Sequence, residues 1–230
     1  MAYTLVRIDF YSGEKCGVCP RPLTSGKARV LVDELGNEVF VGPVCAVREA
    51  ANGKEKVPDL TMAALDPEAE GGAGGAPRVG TPGAGGNTSS QDTSERDRVR
   101  AESYLLLRTE KLATYPGMSY GKLKELQTRY RGAELTEDDI RYLTNLMAKV
   151  QRERPEYSYR NLQAIYACDF WIERFLINDK SDFISDLKSY LNSKLALTTR
   201  QIEGLNKWFK HREGMISIKP DAFAFDPSKR

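Results

Sequence analysis

Cys16, Cys19 and Cys45 carry the most specific chemistry in this chain of 230 residues, because their spacing suits three thiolates around one metal ion. A Cys-x2-Cys turn, Cys16-Gly17-Val18-Cys19, aims two sulfurs at one point. Cys45 follows Gly42-Pro43 at the start of a predicted helix, where amides and the helix dipole favour a thiolate. Zinc is the ion that this pattern predicts. Cys16 and Cys19 are too close for an easy disulfide, and Cys168, the remaining cysteine, lies far along the chain in an apolar helix. A structural zinc normally takes four ligands, and Arg48 occupies the place where a second helix-borne cysteine would be expected. Asp9, Glu14, Glu49, His211, Cys168, water or a second molecule remain open as the fourth donor.

Basic and aromatic residues interleave at three places: Tyr120 to Arg131, Arg152 to Arg160, and Lys207 to Arg212. Arginines that neutralise phosphates beside tyrosines that stack on bases are the means of sequence-tolerant nucleic-acid binding. The segment around Pro155 is the strongest candidate, with Arg152, Arg154, Tyr157, Tyr159 and Arg160 beside a helix-breaking proline. Other motifs carry less. Gly117-Met118-Ser119-Tyr120-Gly121-Lys122-Leu123 has the wrong glycine spacing for a phosphate loop, and Leu123 stands where a hydroxyl residue is required. His211 is the single histidine, so nucleophilic triads would have to converge on it. Glu137, Asp138 and Asp139 read as first-turn acids of a helix. No catalytic residue is assigned, and no small-molecule substrate is evident.

The elements that must position the cysteines follow from periodicity. Residues 3–11 alternate, with Val6, Ile8 and Phe10 opposite Arg7 and Asp9, as a half-buried strand does. A second strand is predicted over Ala28 to Val32, a turn at Leu35-Gly36-Asn37, and a return strand over Glu38 to Val41, leading into a short helix near Val44 to Ala51. Beyond residue 94 the pattern is helical. Tyr115-Pro116-Gly117 breaks it, Leu123 and Leu126 mark one helix, Thr136 caps the next, and Ser158 to Leu176 carries the richest apolar face. Leu135-Thr136 with Asp139, Ile140 and Leu143 is echoed 62 residues later by Leu197-Thr198 with Gln201, Ile202 and Leu205, two copies of one helix-start pattern.

Composition sets the frame. With 40% hydrophobic and 29% charged residues the balance is that of an ordinary soluble protein, and no run approaches the roughly 18 apolar residues of a membrane span. A cytoplasmic setting is expected from the free cysteines and from an N-terminus without a leader pattern. Eight glycines between Gly71 and Gly86, among Ala, Pro, Ser and Thr, mark a stretch without the apolar surface to fold. Such a linker has a reach of roughly 30 Å. Residues 96–230 hold 25 basic against 19 acidic side chains, an excess that permits phosphate binding without demanding it.

Cys16-Gly17-Val18-Cys19-Pro20-Arg21-Pro22-Leu23-Thr24, with Gly42-Pro43-Val44-Cys45-Ala46, resembles a small cysteine-rich domain of phage and bacterial proteins whose pattern is Cys-Gly-x-Cys-x-Arg-x-Leu-Thr, then Gly-Pro-x-Cys. The resemblance covers about 30 residues, and this chain has a longer hairpin, Lys27 to Val41. It implies a phage or mobile-element setting rather than an activity. The order knuckle, hairpin, helix is also similar to the treble-clef class of zinc folds.

The expected fold class is therefore α+β: a treble-clef-like zinc module over residues 1–62, a Gly/Pro/Ser-rich linker over 63–94, an all-helical domain over 95–215 and an extended tail over 216–230. The function expected is that of a non-enzymatic, zinc-containing accessory protein that contacts nucleic acid through the Arg152 to Arg160 segment. The alternative is an adaptor or inhibitor whose partner is a protein.

Overall fold

In a computed structural model, the structure describes residues 2–13, 15–61 and 90–229, with the backbone alone for 90–92. The fold is α+β. A three-stranded antiparallel sheet has the order β1 (Thr4–Phe10), β2 (Lys27–Val32), β3 (Glu38–Val41) and is followed by α1 (Pro43–Glu49). Then come α2 (Ser90–Leu106), a π-helical turn (Leu107–Lys111), α3 (Gly121–Gly132), α4 (Glu137–Glu153), α5 (Tyr159–Asn178), α6 (Asp182–Lys194) and α7 (Thr199–Phe209). Residues 62–89, which include most of the stretch expected as a linker over 63–94, lie outside the described residues; α2 begins at Ser90, ahead of the boundary expected at 95.

The strict alternation expected of β1 does not hold. Its register on β2 slips between Leu5 and Arg7, where a bulge inserts one extra residue. Asp9, expected on a polar face, is instead almost fully buried. The free edge of β1 is covered by residues 58–60: the Ile8 amide donates to the Pro58 carbonyl at 2.8 Å, and the Leu60 amide to the Ile8 carbonyl at 3.1 Å. This pairing blunts an edge that would otherwise present unpaired amides.

Two buried clusters result. The larger is helical, centred on α5, and it includes Phe10 and Leu60 from the N-terminal segment. Phe10 packs its ring against Tyr166, Phe170 and Trp171, at centroid distances of 5.2, 5.4 and 6.2 Å. Gly26, at a φ of +70°, lies so close to Trp171 and Ile216 that a Cβ would meet Ile216 at 2.5 Å and Trp171 at 2.8 Å. The glycine is thus required by both its backbone and its neighbours. Residues after α7 close the same core, with Ile216, Ile218, Ala222 and Phe223 buried and the Asn206 side chain bonding both the amide and the carbonyl of Ile218.

A polar seam joins sheet and helices. Asp9 accepts from Lys111 Nζ at 2.6 Å, Tyr166 Oη at 2.6 Å, Arg7 Nε at 2.9 Å and the Phe10 amide at 2.9 Å. Arg7 in turn forms a two-pronged pair with Glu38 on β3, both contacts at 2.8 Å. Lys111 ends the π-turn, where the Leu112 amide reaches back five residues to the Leu107 carbonyl. Burial raises the cost of the Asp9 charge, but Lys111, Tyr166 and Arg7 outweigh it and hold the carboxyl below its usual range.

Both helix starts of the repeated pattern form as expected. The Asp139 amide donates to Thr136 Oγ1 at 3.2 Å and the Gln201 amide to Thr198 Oγ1 at 3.3 Å, with the reciprocal bond present in each. Long helix, short helix, capped helix occurs twice, as α2-α3-α4 and α5-α6-α7.

Asp9→Ala is expected to destabilise the protein by about 3–5 kcal/mol, because Lys111 and Arg7 would be left charged without their buried partner. Since the folded-state pKa of Asp9 is depressed, its contribution is complete above the unfolded carboxylate range and fades as pH falls through the depressed value. Urea unfolding of Asp9→Ala and of Asp9→Ala/Lys111→Met checks this: the double variant should regain part of the loss.

Candidate metal centre

The three sulfurs converge because each is fixed by a different backbone device. The knuckle is closed by the Cys16 amide donating to the Arg21 carbonyl at 2.9 Å and by a bridge between Lys15 and Pro22. It is tied to the hairpin by the Gly17 amide, which donates to the Phe40 carbonyl at 2.9 Å. A Cβ at Gly17 would meet Val39 at 2.5 Å, so the close approach depends on glycine. Cys45 is carried by α1, whose first turn begins with Gly42 and Pro43 as a start signal should. The end of α1 is fastened to β1 by Asn52, whose amide accepts from the Leu5 amide at 2.8 Å and donates to its carbonyl at 2.9 Å.

All three sulfurs lie within 4.8 Å of one another, and Cys19 and Cys45 are 3.4 Å apart. Disulfide sulfurs would be about 2.05 Å apart. Thiolates on one zinc, with bonds of about 2.3 Å in a tetrahedron, are separated by about 3.8 Å, inside the observed range. Cys16 and Cys45 are buried and Cys19 partly so, within a second cluster that holds Leu5, Leu31, Val41, Ala46 and Ala50. The residues present therefore fit a metal ion.

The thiols differ in a way the sequence did not anticipate. Burial works against the Cys16 thiolate, but backbone hydrogen bonds from Val18 and Gly42, with help from Cys19, bring its pKa down to about 7. Cys45, expected to gain from its helix start, is pushed up to about 11 by burial and by the sulfurs of Cys19 and Cys16. The Gly42 amide serves Cys16.

Three of the side chains left open as fourth donors, Asp9, Glu49 and Cys168, are paired or buried elsewhere. Asp9 belongs to the seam with Lys111 and Tyr166. Glu49 pairs with Arg48 Nε at 2.6 Å. Cys168 is fully buried in α5, its thiol pushed up by burial and by Asp169. His211 is exposed just beyond α7. Glu14 lies outside the described residues. Arg48, one residue past the short turn Cys45-Ala46-Val47, places Nη2 3.9 Å from the Cys45 sulfur.

The Arg152 to Arg160 segment is drawn into the fold to different degrees. Arg152 is exposed at the end of α4. Tyr157 is buried between two guanidinium groups, Arg154 at 4.6 Å and Arg108 at 5.0 Å from the ring centre, and its hydroxyl donates to the Pro116 carbonyl at 3.4 Å. Tyr159 donates to the Asp59 carbonyl at 3.2 Å and lies under Arg100. Arg160 donates to the Ala222 carbonyl at 3.1 Å and also to the Asp221 carbonyl. The structure thus brings Arg154 and Tyr157 together and sends Tyr159 and Arg160 to separate seams.

Sequence reasoning missed Arg108. It is buried, donates to Tyr104 Oη at 2.6 Å and to the Gly117 carbonyl at 2.9 Å, also reaches the Met118 carbonyl, and faces the rings of Tyr104, Tyr120 and Tyr157. The break at Tyr115-Pro116-Gly117 was the available signal, since the carbonyls of a turn that interrupts a helical stretch need donors from elsewhere. No protein-family model, curated protein or solved structure matches the chain.

Metal uptake is expected at one ion per chain, with Cys16→Ser, Cys19→Ser and Cys45→Ser each reducing it, as metal analysis of freshly purified, reduced protein would report. Every bound thiolate must shed its proton. Affinity should therefore fall with decreasing pH, and more steeply below about 7, where the Cys16 thiolate also becomes protonated. A chelator-competition titration between pH 6 and 8 would reveal the steepening; a pH-independent affinity would exclude thiolate ligation.

Proposed function

We propose that this chain is a non-enzymatic binding protein whose N-terminal module is a treble-clef-like site for structural zinc, acting as an adaptor for a protein partner. The observation that carries the zinc reading is the spacing of the Cys16, Cys19 and Cys45 sulfurs. A cluster of so few buried side chains is marginal without a staple, which a metal would supply. The order of Cys-x2-Cys turn, hairpin and Cys45-bearing helix supports the treble-clef assignment.

The protein-partner reading is supported by the outer face of α1. Val44 and Val47 flank Cys45 and are 66% and 45% exposed, next to the Arg48 guanidinium. Apolar side chains beside an arginine are the composition of an interface centre. The sequence resemblance suits a phage or mobile-element setting for such an adaptor.

A second reading, binding to nucleic acid, draws on Phe183 and Trp208. Their rings stack at 6.3 Å with planes 23° apart, and both are more than two-fifths exposed beside Lys207 and Lys210. Stacked, exposed rings among cations would hold single strands.

Salt separates the two. Affinity capture from host extract with the full chain is expected to retain a partner after nuclease treatment and to weaken little as salt rises. Val44→Asp/Val47→Asp should release that partner with the metal content unchanged. If capture requires nucleic acid and Trp208→Ala abolishes it, the nucleic-acid reading replaces the adaptor.

A further inference from the structure

Resting on the zinc reading above, we infer that the fourth coordination position of the Cys16/Cys19/Cys45 centre takes an external carboxylate, held between the metal and the Arg48 guanidinium. Three observations lead there. First, Arg48 stands three residues after Cys45 on α1, the offset at which a Cys-x2-Cys pair delivers a second ligand, so its side chain leaves the helix on the face of the cluster. Its Nη2 already lies 3.9 Å from the Cys45 sulfur. Second, the cluster has an accessible side. Cys16 and Cys45 are buried, whereas Cys19 is partly exposed and the Arg48 side chain is 58% exposed. Third, among the described residues the group of metal-binding side chains contains these three cysteines and no more.

Zinc with three thiolates carries a formal charge of −1, so an anion can enter only beside a cation, and Arg48 is the cation at hand: its Nε pairs with Glu49 at 2.6 Å, while its Nη2 faces the Cys45 sulfur at 3.9 Å. A guanidinium also prefers a planar carboxylate as its partner, to which it donates charge-assisted hydrogen bonds. One carboxylate oxygen can bind the metal while the other accepts from Arg48, a ligand mode that zinc accepts. A cysteine at this position would close the site; an arginine leaves it open and selects what enters. The exposed Val44 and Val47 lie on the same short helix, so an acidic residue of a partner polypeptide that is flanked by apolar side chains has the matching chemistry.

The test uses the full chain loaded with Co²⁺, whose visible absorption reports donor type and coordination number. Acetate and a terminally blocked peptide containing one glutamate serve as probes, the first representing a free small carboxylate and the second a partner's side chain. Wild type is expected to give a saturable spectral change with at least one probe, and the tighter of the two assigns the source. Arg48→Ala should weaken that response about tenfold or more, the loss of a charge-assisted hydrogen bond. Arg48→Cys should bind Co²⁺ with a four-thiolate spectrum and ignore both probes. Arg48 is exposed, so both variants are expected to keep the fold, which circular dichroism checks.

A wild-type spectrum that is four-coordinate and indifferent to both probes would overturn the inference. A change in that spectrum on Glu14→Gln would then place the fourth ligand within the chain. Equal responses from wild type and Arg48→Ala would also overturn it, because the guanidinium would then play no part. Failure to take up Co²⁺ stoichiometrically is a different result: it removes the metal reading itself.

Discussion

The Asp9 carboxylate is the constraint on which the rest of the structure depends. It is a nearly buried charge on a strand, and such a charge survives only if cations and donors converge on it. Lys111 arrives from the π-turn, Tyr166 from α5 and Arg7 from the same strand, with Glu38 on β3 completing the chain of charges. The sheet, α2 and α5 are thereby joined at one point. Phe10 next to it places three aromatic contacts on α5, so polar and apolar interactions act at the same seam.

The cysteine cluster lies in a second buried cluster, apart from the one that Phe10 enters. That apolar cluster is small, and backbone contacts around the knuckle add to the side-chain packing. The sulfurs sit at the spacing of a thiolate metal site before any ion is considered. Backbone amides aimed at Cys16 favour its thiolate, while burial and the neighbouring sulfurs disfavour that of Cys45. A divalent cation would offset the second effect and use the first.

Cations and aromatic rings that look like a binding surface in one dimension are largely partners of each other in three. Arg108 illustrates why. It is buried with carbonyls and three tyrosines around it, and Gly117 at a φ of +69° brings the backbone so close to Tyr157 that a Cβ would meet its hydroxyl at 2.3 Å. That packing satisfies the guanidinium without a carboxylate and takes Tyr157 out of solvent. Among the described residues the exposed rings are Phe183 and Trp208, which stack on one another where α6 and α7 meet, and Tyr120 and Tyr142, whose hydroxyls bond each other at 2.9 Å.

Local order was legible in the sequence by itself. The knuckle, the hairpin, the short helix after Gly42-Pro43 and the two capped starts at Thr136 and Thr198 follow from turn residues, period and capping chemistry, all of which act within a few residues. The cysteine trio was legible for the same reason, since ligand spacing is a local property. The sequence did not disclose what lies between distant segments. Alternation along β1 placed Asp9 on a polar face, but Lys111 and Tyr166 close on it and it is buried. The basic-aromatic run around Pro155 read as a surface, yet Arg108 and Asp59, from other parts of the chain, draw Tyr157 and Tyr159 into the structure. Pairing between groups far apart along the chain leaves no periodic trace, and only the tertiary structure decides it.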